Sequence, residues 1–229
     1  MTNKNKTVWS NRFKSSTSKS FQRIGSSIKI DKRLYEQDIF ASKVHTQMLI
    51  KNKIIPAKEG MKIIKELDKI KNQIQKGKFI FREKFEDIHL NIEKKLHDII
   101  GNSAGYMHTA RSRNDQVVTD FKLWVKESTL ILTNELNSLM KNIIIKSEKN
   151  TETVMPGFTH LKNAQPVSFA HYLLAYYEML KRDKKRFENN LHLLDYSPLG
   201  SAALSGTSYK IDRNFTTKKL GFKKPTDNS

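Results

Sequence analysis

The 229-residue sequence has no cysteine, which excludes disulfides and thiolate metal sites and fits a reducing compartment. It also lacks any run approaching the roughly twenty apolar residues of a membrane span. The polar start Met1-Thr2-Asn3-Lys4-Asn5-Lys6 leads into no apolar segment of the kind a secretory signal needs. A soluble, cytoplasmic chain is expected. There is no H-x-x-x-H or carboxylate-rich spacing to suggest a metal site, and no Gly-rich phosphate loop. No bound metal or organic cofactor is expected. Acidic residues are scarce: 23 Asp and Glu against 42 Lys and Arg give a formal charge of +19. That excess invites a nucleic-acid reading, because phosphate contacts need clustered cations. The lysines are instead dispersed through nearly every helical segment, as in Lys58, Lys62, Lys65, Lys69 and Lys71. Tracts such as Lys181-Arg182-Asp183-Lys184-Lys185-Arg186 fall within helical periodicity, where charge runs form solvated faces. No nucleic-acid or membrane partner is expected.

What the sequence does contain is helical periodicity. The Ser- and Lys-rich first thirty residues predict an extended or loosely ordered arm. Asp31 is a plausible N-cap for a helix whose apolar face is Leu34, Ile39, Val44, Met48 and Leu49. Pro56 suits the first turn of the next helix, where Met61, Ile64, Leu67, Ile70 and Ile74 recur at three- and four-residue spacing up to Gly77. Another helix is expected from Asp87 to Ile100, closed by Gly101. Val117, Phe121, Trp124, Leu132, Leu136, Leu139 and Ile143 keep the period to about Lys149, a helix of roughly 45–50 Å at 1.5 Å per residue. A further long amphipathic helix carries Ala170, Leu173, Leu174, Tyr177, Leu180, Phe187, Leu191 and Leu194. There is no convincing strand ladder. The fold class is all-α, a long-helix bundle with a smaller helical domain before it.

Three polar interruptions separate the long helices. The first, Gly105 to Gln116, puts Arg111, Arg113, Asn114 and Gln116 into one turn-sized segment. Capping a helix needs one side chain, so this donor capacity exceeds the structural requirement. Two Arg forks suit planar carboxylates or phosphates, though a polar, capped interdomain loop would use the same residues. The second interruption, Met155 to Pro166, presents His160 from a turn between Pro156-Gly157 and Pro166. An imidazole so placed is an acid/base candidate, because its pKa lies near neutrality; a hydrogen bond within the turn is the plainer alternative. The third runs from Ser197-Pro198-Leu199-Gly200-Ser201 to Gly206-Thr207.

Read together, His108-Thr109-Ala110-Arg111-Ser112-Arg113-Asn114-Asp115-Gln116, Pro156-Gly157-Phe158-Thr159-His160-Leu161 with Ala164-Gln165-Pro166, and Pro198-Leu199-Gly200-Ser201 closely resemble the argininosuccinate lyase family. That family is a branch of the fumarase/aspartase superfamily. Trp9-Ser10-Asn11-Arg12-Phe13, Glu86-Asp87-Ile88-His89 and Ile211-Asp212-Arg213 extend the resemblance over the whole chain in order. The resemblance implies cleavage of argininosuccinate to arginine and fumarate in arginine biosynthesis, without metal or organic cofactor. It implies that Ser27, Asn114 and Thr159 hold substrate and that His160 serves in the acid/base pair. Donor chemistry adds Arg111, Arg113 and Gln165 as carboxylate-contact or loop-bracing residues. The implied assembly is a homotetramer whose active sites draw loops from different subunits.

The match also has a gap. The family carries a mobile G-S-S-x-M-P-x-K-x-N-P loop with a second catalytic residue, a Ser, and a substrate-binding Lys; no such string occurs in this sequence. The expectation is therefore a fragment, inactive by itself, with residues 1–108 an N-terminal arm and helical domain and residues 109–229 the first part of the central bundle. The rival readings are a sibling lyase acting on adenylosuccinate or fumarate, a non-catalytic structural homologue, and a basic nucleic-acid-binding helical protein.

Overall fold

Ser18 begins the part of the chain, residues 18–228, that the computed structural model describes. Its side chain accepts the Phe21 amide and caps helix α1 (Lys19–Gly25), and α2 (Ile28–Asp31) follows. The extended arm expected from composition is therefore helical over much of its second half. Residues 1–17, including the Trp9–Phe13 match, lie outside the described residues.

A short 3₁₀ turn (Lys32–Leu34) leads into α3 (Tyr35–Lys51). Leu34, Ile39, Val44, Met48 and Leu49 are all buried, as their spacing predicts. Asp31 does not cap this helix. Its carboxylate accepts the Ile88 amide at 3.1 Å and so serves the start of a different helix, α5. The helix α4 (Ala57–Gln75) begins just after Pro56. Ile63, Leu67 and Ile70 are wholly buried there, while Met61 is 60% exposed. The apolar face is thus turned from the one expected, because Gly60 and Ile63 together approach α3 and its following loop. Next comes α5 (Ile88–Ile100), with Asp87 accepting the Leu90 amide at 2.6 Å and Gly101 ending it at φ +65°.

Ile39 of α3 joins α4 and α5 in the main core through layers of branched side chains: Ile63, Leu67 and Ile70 from α4, and Ile88, Ile92 and Leu96 from α5. Each such side chain contributes about 1.5–3 kcal/mol relative to exposure. The opposite side of α3 contributes Ala41 and Val44 to a second cluster with Leu199, Leu220 and Phe222. Covered on both sides, α3 keeps only a narrow solvent-facing stripe through Glu36, Phe40, Lys43 and Gln47.

A 3₁₀ segment (Gly101–His108) precedes α6 (Arg113–Glu148), whose 36 residues span about 54 Å. It starts four residues before the expected Val117, because Ser112 and Asp115 form a reciprocal cap. The Ser112 hydroxyl accepts the Asn114 amide at 3.2 Å, and the Asp115 carboxylate accepts the Ser112 amide at 2.9 Å. Arg113 to Gln116 are consequently the first helical turn rather than a loop ahead of it.

The described residues divide into two compact units. One runs through Trp124 and resumes at Tyr196; the other is Val125–Asp195. In the second unit, the rest of α6 leads to strands β1 (Val154–Thr159) and β2 (Lys162–Ser168), then to α7 (Phe169–Leu194) capped by Ser168. The hairpin is a departure from the expected loop. Pro156 pairs with Pro166, and the register shifts between Pro156 and Phe158. Gly157 sits at that shift because a Cβ there would lie 2.3 Å from the Gln165 carbonyl oxygen. Along α7 the expected face is half-buried, except for exposed Leu174 and buried Ala170.

The first unit closes with β3 (Tyr196–Ser197), α8 (Arg213–Lys219) and β4 (Lys224–Pro225), β3 and β4 pairing in parallel. Among the described residues the strands form only these two-stranded pairs, and the chain is all-α in class as its periodicity predicts. No helix among them is long and apolar enough to cross a membrane.

Candidate active site

Ser27 stands at the entry to α2, exposed to solvent, and is fixed from behind. Its amide and that of Ile28 both donate to the Glu86 carbonyl, at 2.9 and 3.0 Å, and the Ser26 hydroxyl donates to the same oxygen at 3.1 Å. Glu86 turns this carbonyl toward Ser27 by adopting φ +60°, a left-handed conformation that a non-glycine residue keeps only where its surroundings hold it. The Ser27 hydroxyl donates to Asp31 at 2.5 Å. Burial raises the Asp31 carboxyl above its ordinary value, against the lowering effect of that Ser27 bond, and the neighbouring charge of Asp87 pushes it up further.

The Arg-rich turn approaches the same segment. Arg113 lies 3.5 Å from an Asp87 oxygen and 3.4 Å from Glu93, and it donates to the Gln116 side chain at 2.9 Å. Arg111 points the other way. It is buried, and donates to the Ser42 hydroxyl of α3 at 2.9 Å, so it braces the turn from inside. Asn114 is exposed, and its side-chain amide donates to the Ala203 carbonyl at 3.3 Å. Ser27, the Glu86-Asp87 pair, Arg113 and Asn114 thus belong to linked segments of one unit.

Beneath this surface lies a buried ionic cluster. The His89 imidazole, through Nδ1, donates to Asp38 at 2.9 Å and lies 3.3 Å from Asp120. The Gln116 amide donates to the same Asp38 oxygen at 2.6 Å. Burial alone would push His89 down, but the charge of Asp38 and the bonds to both carboxylates outweigh it and raise His89 to about 10. Burial, together with the charge of Asp38, raises Asp120 to about 7. Asp38 is held well below the usual carboxylate range: burial opposes this, but His89 and Arg111 prevail. Nearby His45 is lowered to about 3 by burial and the charge of Arg111; the neutral ring accordingly donates through Nε2 to the Thr109 carbonyl at 2.8 Å. Asp38, His89 and Asp120 offer ligand atoms within 4.8 Å of one another, a donor set that suits a divalent ion in kind. With His89 protonated, however, His89 and Arg111 already balance the two carboxylates, so a proton meets the charge requirement.

The sign of the resulting pH dependence follows from linkage. His89 binds its proton more tightly in the folded than in the unfolded chain, so stability falls wherever only the folded state retains it. That contribution is complete below about pH 6.5 and is lost as pH rises through about 10. Asp120, raised from 3.8 to about 7, adds a fall of the same sign at lower pH. Urea midpoints measured from pH 6 to pH 10 are expected to decline steadily; a flat profile would contradict the charged cluster.

The segment 197–206 forms the neighbouring wall. Asp115 accepts the Gly200 and Ala202 amides, each at 2.9 Å. Arg213 donates to the carbonyls of Leu199 and Ser197 and to the hydroxyls of Ser201 and Thr226. Asn114, Val118, Ser201, Ala203 and Leu204 line a cavity of about 360 Å³ on this side.

Thr159, His160 and Gln165 belong to the second unit, all exposed on the hairpin. His160 and Leu161 form its two-residue turn with φ +50° and +62°, the sign that a type I′ turn requires at both central positions and that Asn-Gly normally supplies. Left-handed backbone costs a side-chain-bearing residue about 1–2 kcal/mol. Leu161 is 99% exposed, so Leu161→Gly is expected to relieve strain without losing packing. Allowing for glycine's greater unfolded freedom, the hairpin should gain up to about 1 kcal/mol, read as slower amide exchange across β1 and β2. Faster exchange would contradict the strain argument.

A family model described as lyase matches residues 11–229. The chain belongs to this lyase family. Among curated relatives, the argininosuccinate lyase of Pelagibacter ubique (strain HTCC1062) is 58% identical over 225 residues, covering 98% of this chain and 49% of the relative. That of Ehrlichia canis (strain Jake) is 50% identical over 222 residues, covering 97% of this chain and 47% of the relative. The chain therefore spans about half the length of the curated relatives it matches. Of solved structures, an EDDS lyase variant with bound fumarate aligns with TM-score 0.77 at 25% identity, covering 94% of this chain and 43% of that one. A fumarate lyase:delta crystallin from Brucella melitensis aligns with TM-score 0.70 at 17% identity, covering 95% and 51%, a likeness of fold.

Within this lyase chain, the sequence motifs led to Ser27, Asn114 and Arg113 but gave no sign of Asp38 or Asp120; Asp31 was read only as a local cap, and Asp115 stood in the quoted string without a role. Asp87 was visible as a helix start, and His89 only through the string Glu86-Asp87-Ile88-His89. The signal available for the others was spacing: Asp115 stands three residues after Ser112, and Asp120 lies one helical turn beyond Gln116.

Proposed function

We propose that this chain carries the first part of an argininosuccinate lyase, cleaving argininosuccinate to arginine and fumarate by acid/base elimination in cytoplasmic arginine biosynthesis. The observation that carries this reading is the 58% identity to the Pelagibacter argininosuccinate lyase across 98% of the chain. The arrangement around Ser27, Asn114 and Arg113 agrees with it in kind.

The chemical problem is to remove a weakly acidic C–H proton beside a carboxylate while a guanidine departs. Donors aimed at that carboxylate stabilise the charge that develops, and they do so best when already held in place. The Ser27 hydroxyl, the Asn114 amide and the Thr159 hydroxyl are assigned to hold substrate. All three Arg113 guanidinium nitrogens already meet a partner, Asp87, Glu93 or Gln116, so it is assigned to brace the turn or to meet a carboxylate with the remaining N–H of its two terminal nitrogens. Arg111, buried against Ser42, is assigned to brace the turn, and Gln165 to support the hairpin or contact a carboxylate. His160 is assigned the proton-transfer role. The second catalytic residue, a Ser implied by family resemblance, belongs to a loop whose motif is not within residues 1–229.

We assign the working form to a homotetramer with active sites shared between subunits. The exposed apolar residues of α6 and α7 support that reading: Leu130, Ile131, Leu132 and Leu139 on one, Leu174, Tyr176 and Met179 on the other.

The test joins this chain to the remaining, C-terminal part of its Pelagibacter relative. Given argininosuccinate, the joined enzyme should release arginine and fumarate in equal amounts and leave adenylosuccinate intact. Cleavage of adenylosuccinate, or none of either substrate, would overturn the assignment.

A further inference from the structure

We propose that Asp115 is a positioning residue that locks the Asn114 turn to the 198–206 loop, so that one buried carboxylate sets both walls of the cavity beside Asn114. This rests on the reading of Asn114 as a substrate contact.

The geometry has three parts. Asp115 is 3% exposed, and its two oxygens accept three backbone amides, each at 2.9 Å: Ser112 on its own turn, Gly200 and Ala202 on the loop. Backbone donors cannot swing as side chains do, and bonds to an ionised acceptor are the strong kind. These contacts therefore fix the loop in position and orientation together.

The loop needs such a hold. Ala202 has φ +54° and Gly200 φ +98°. A Cβ at Gly200 would lie 2.7 Å from Arg213 Cγ and 2.9 Å from Ile211 Cδ1. Gly200 adopts this backbone freely and is needed there for its lack of a Cβ, whereas left-handed backbone at Ala202 persists only where its surroundings impose it. Asp115 imposes it through the amides, while Arg213 grips the carbonyls of Leu199 and Ser197 from the other edge.

The third part is coupling to the site. Asn114 is the next residue to Asp115, and its side chain bonds Ala203 within the clamped loop. Displacing the loop would remove this contact and widen the cavity.

Asp115→Asn tests the clamp, because it keeps size while removing the charge and turning one acceptor into a donor. In the 229-residue chain, amide exchange at Ser112, Gly200 and Ala202 should quicken about tenfold or more while core amides of α4 and α5 stay as they were. Unchanged exchange at those three amides, or equal quickening everywhere, would overturn the proposal. In the joined enzyme, the same substitution should raise KM for argininosuccinate about tenfold with a smaller change in kcat. A loosened loop with unaltered KM would overturn the positioning role. If the joined enzyme with Asp115 intact fails to cleave argininosuccinate, the assigned activity falls, and the exchange rates still decide the clamp.

Discussion

His89→Leu destabilises the chain by roughly 3–5 kcal/mol, the range for removing one partner of a buried ion pair. The side chains of His89, Asp38 and Asp120 are 2%, 1% and 0% exposed. Leucine fills similar space but leaves two carboxylates facing each other with no proton donor between them. Asp120 would then take up a proton, and Asp38 would retain only Gln116 and the field of Arg111. Against a total stability of about 5–15 kcal/mol, such a loss is large enough to leave much of the chain unfolded under mild denaturant. The measurement is a urea titration, with the slope compared as well as the midpoint. A companion His89→Leu, Asp120→Leu variant, which removes the buried carboxyl left without its partner, should recover part of the loss. A single-variant cost below about 1 kcal/mol would mean that His89 carries no charge in the folded state.

His160→Asn in the joined enzyme lowers kcat by about 10²–10⁴-fold, the usual contribution of a positioned acid or base. The substitution is chosen for its backbone. His160 holds φ +50° at the hairpin tip, and asparagine visits the left-handed region more readily than histidine does. Folding and assembly should therefore be unimpaired, and loss of turnover would report chemistry rather than a broken turn. Near-normal turnover would remove His160 from the acid/base pair and leave it as a turn residue.

How much was legible in the sequence can be seen element by element. The helix α5 carries its own start and stop, Asp87 and Gly101, and both act as read. The long periodicities of α6 and α7 survive because helical spacing over many turns leaves few alternatives. The hairpin was hidden for physical reasons. Its strands hold Pro156 and Pro166, which argue against a strand, and its turn is His160-Leu161 in place of Asn-Gly. Asp31 was misread because a local cap and a distant one use the same residue type; only tertiary structure brings Ile88 to its carboxylate. The ionic cluster was equally hidden, since Asp38, His89 and Asp120 come from three helices far apart in sequence. Ser27 was reached through motif resemblance and His160 first through its place in a proline-flanked turn; periodicity had nothing to say about either.

The most direct test of a site shared between copies is the mixing of two silent enzymes. Asn114→Ala removes the proposed substrate contact from the first unit, and His160→Asn removes the proposed proton-transfer group from the second. Each joined enzyme should be inactive alone. Dissociated, mixed and reassembled, they should regain argininosuccinate cleavage, because some sites would then combine an intact Asn114 from one copy with an intact His160 from another. A mixed tetramer that forms and remains silent would contradict the shared site.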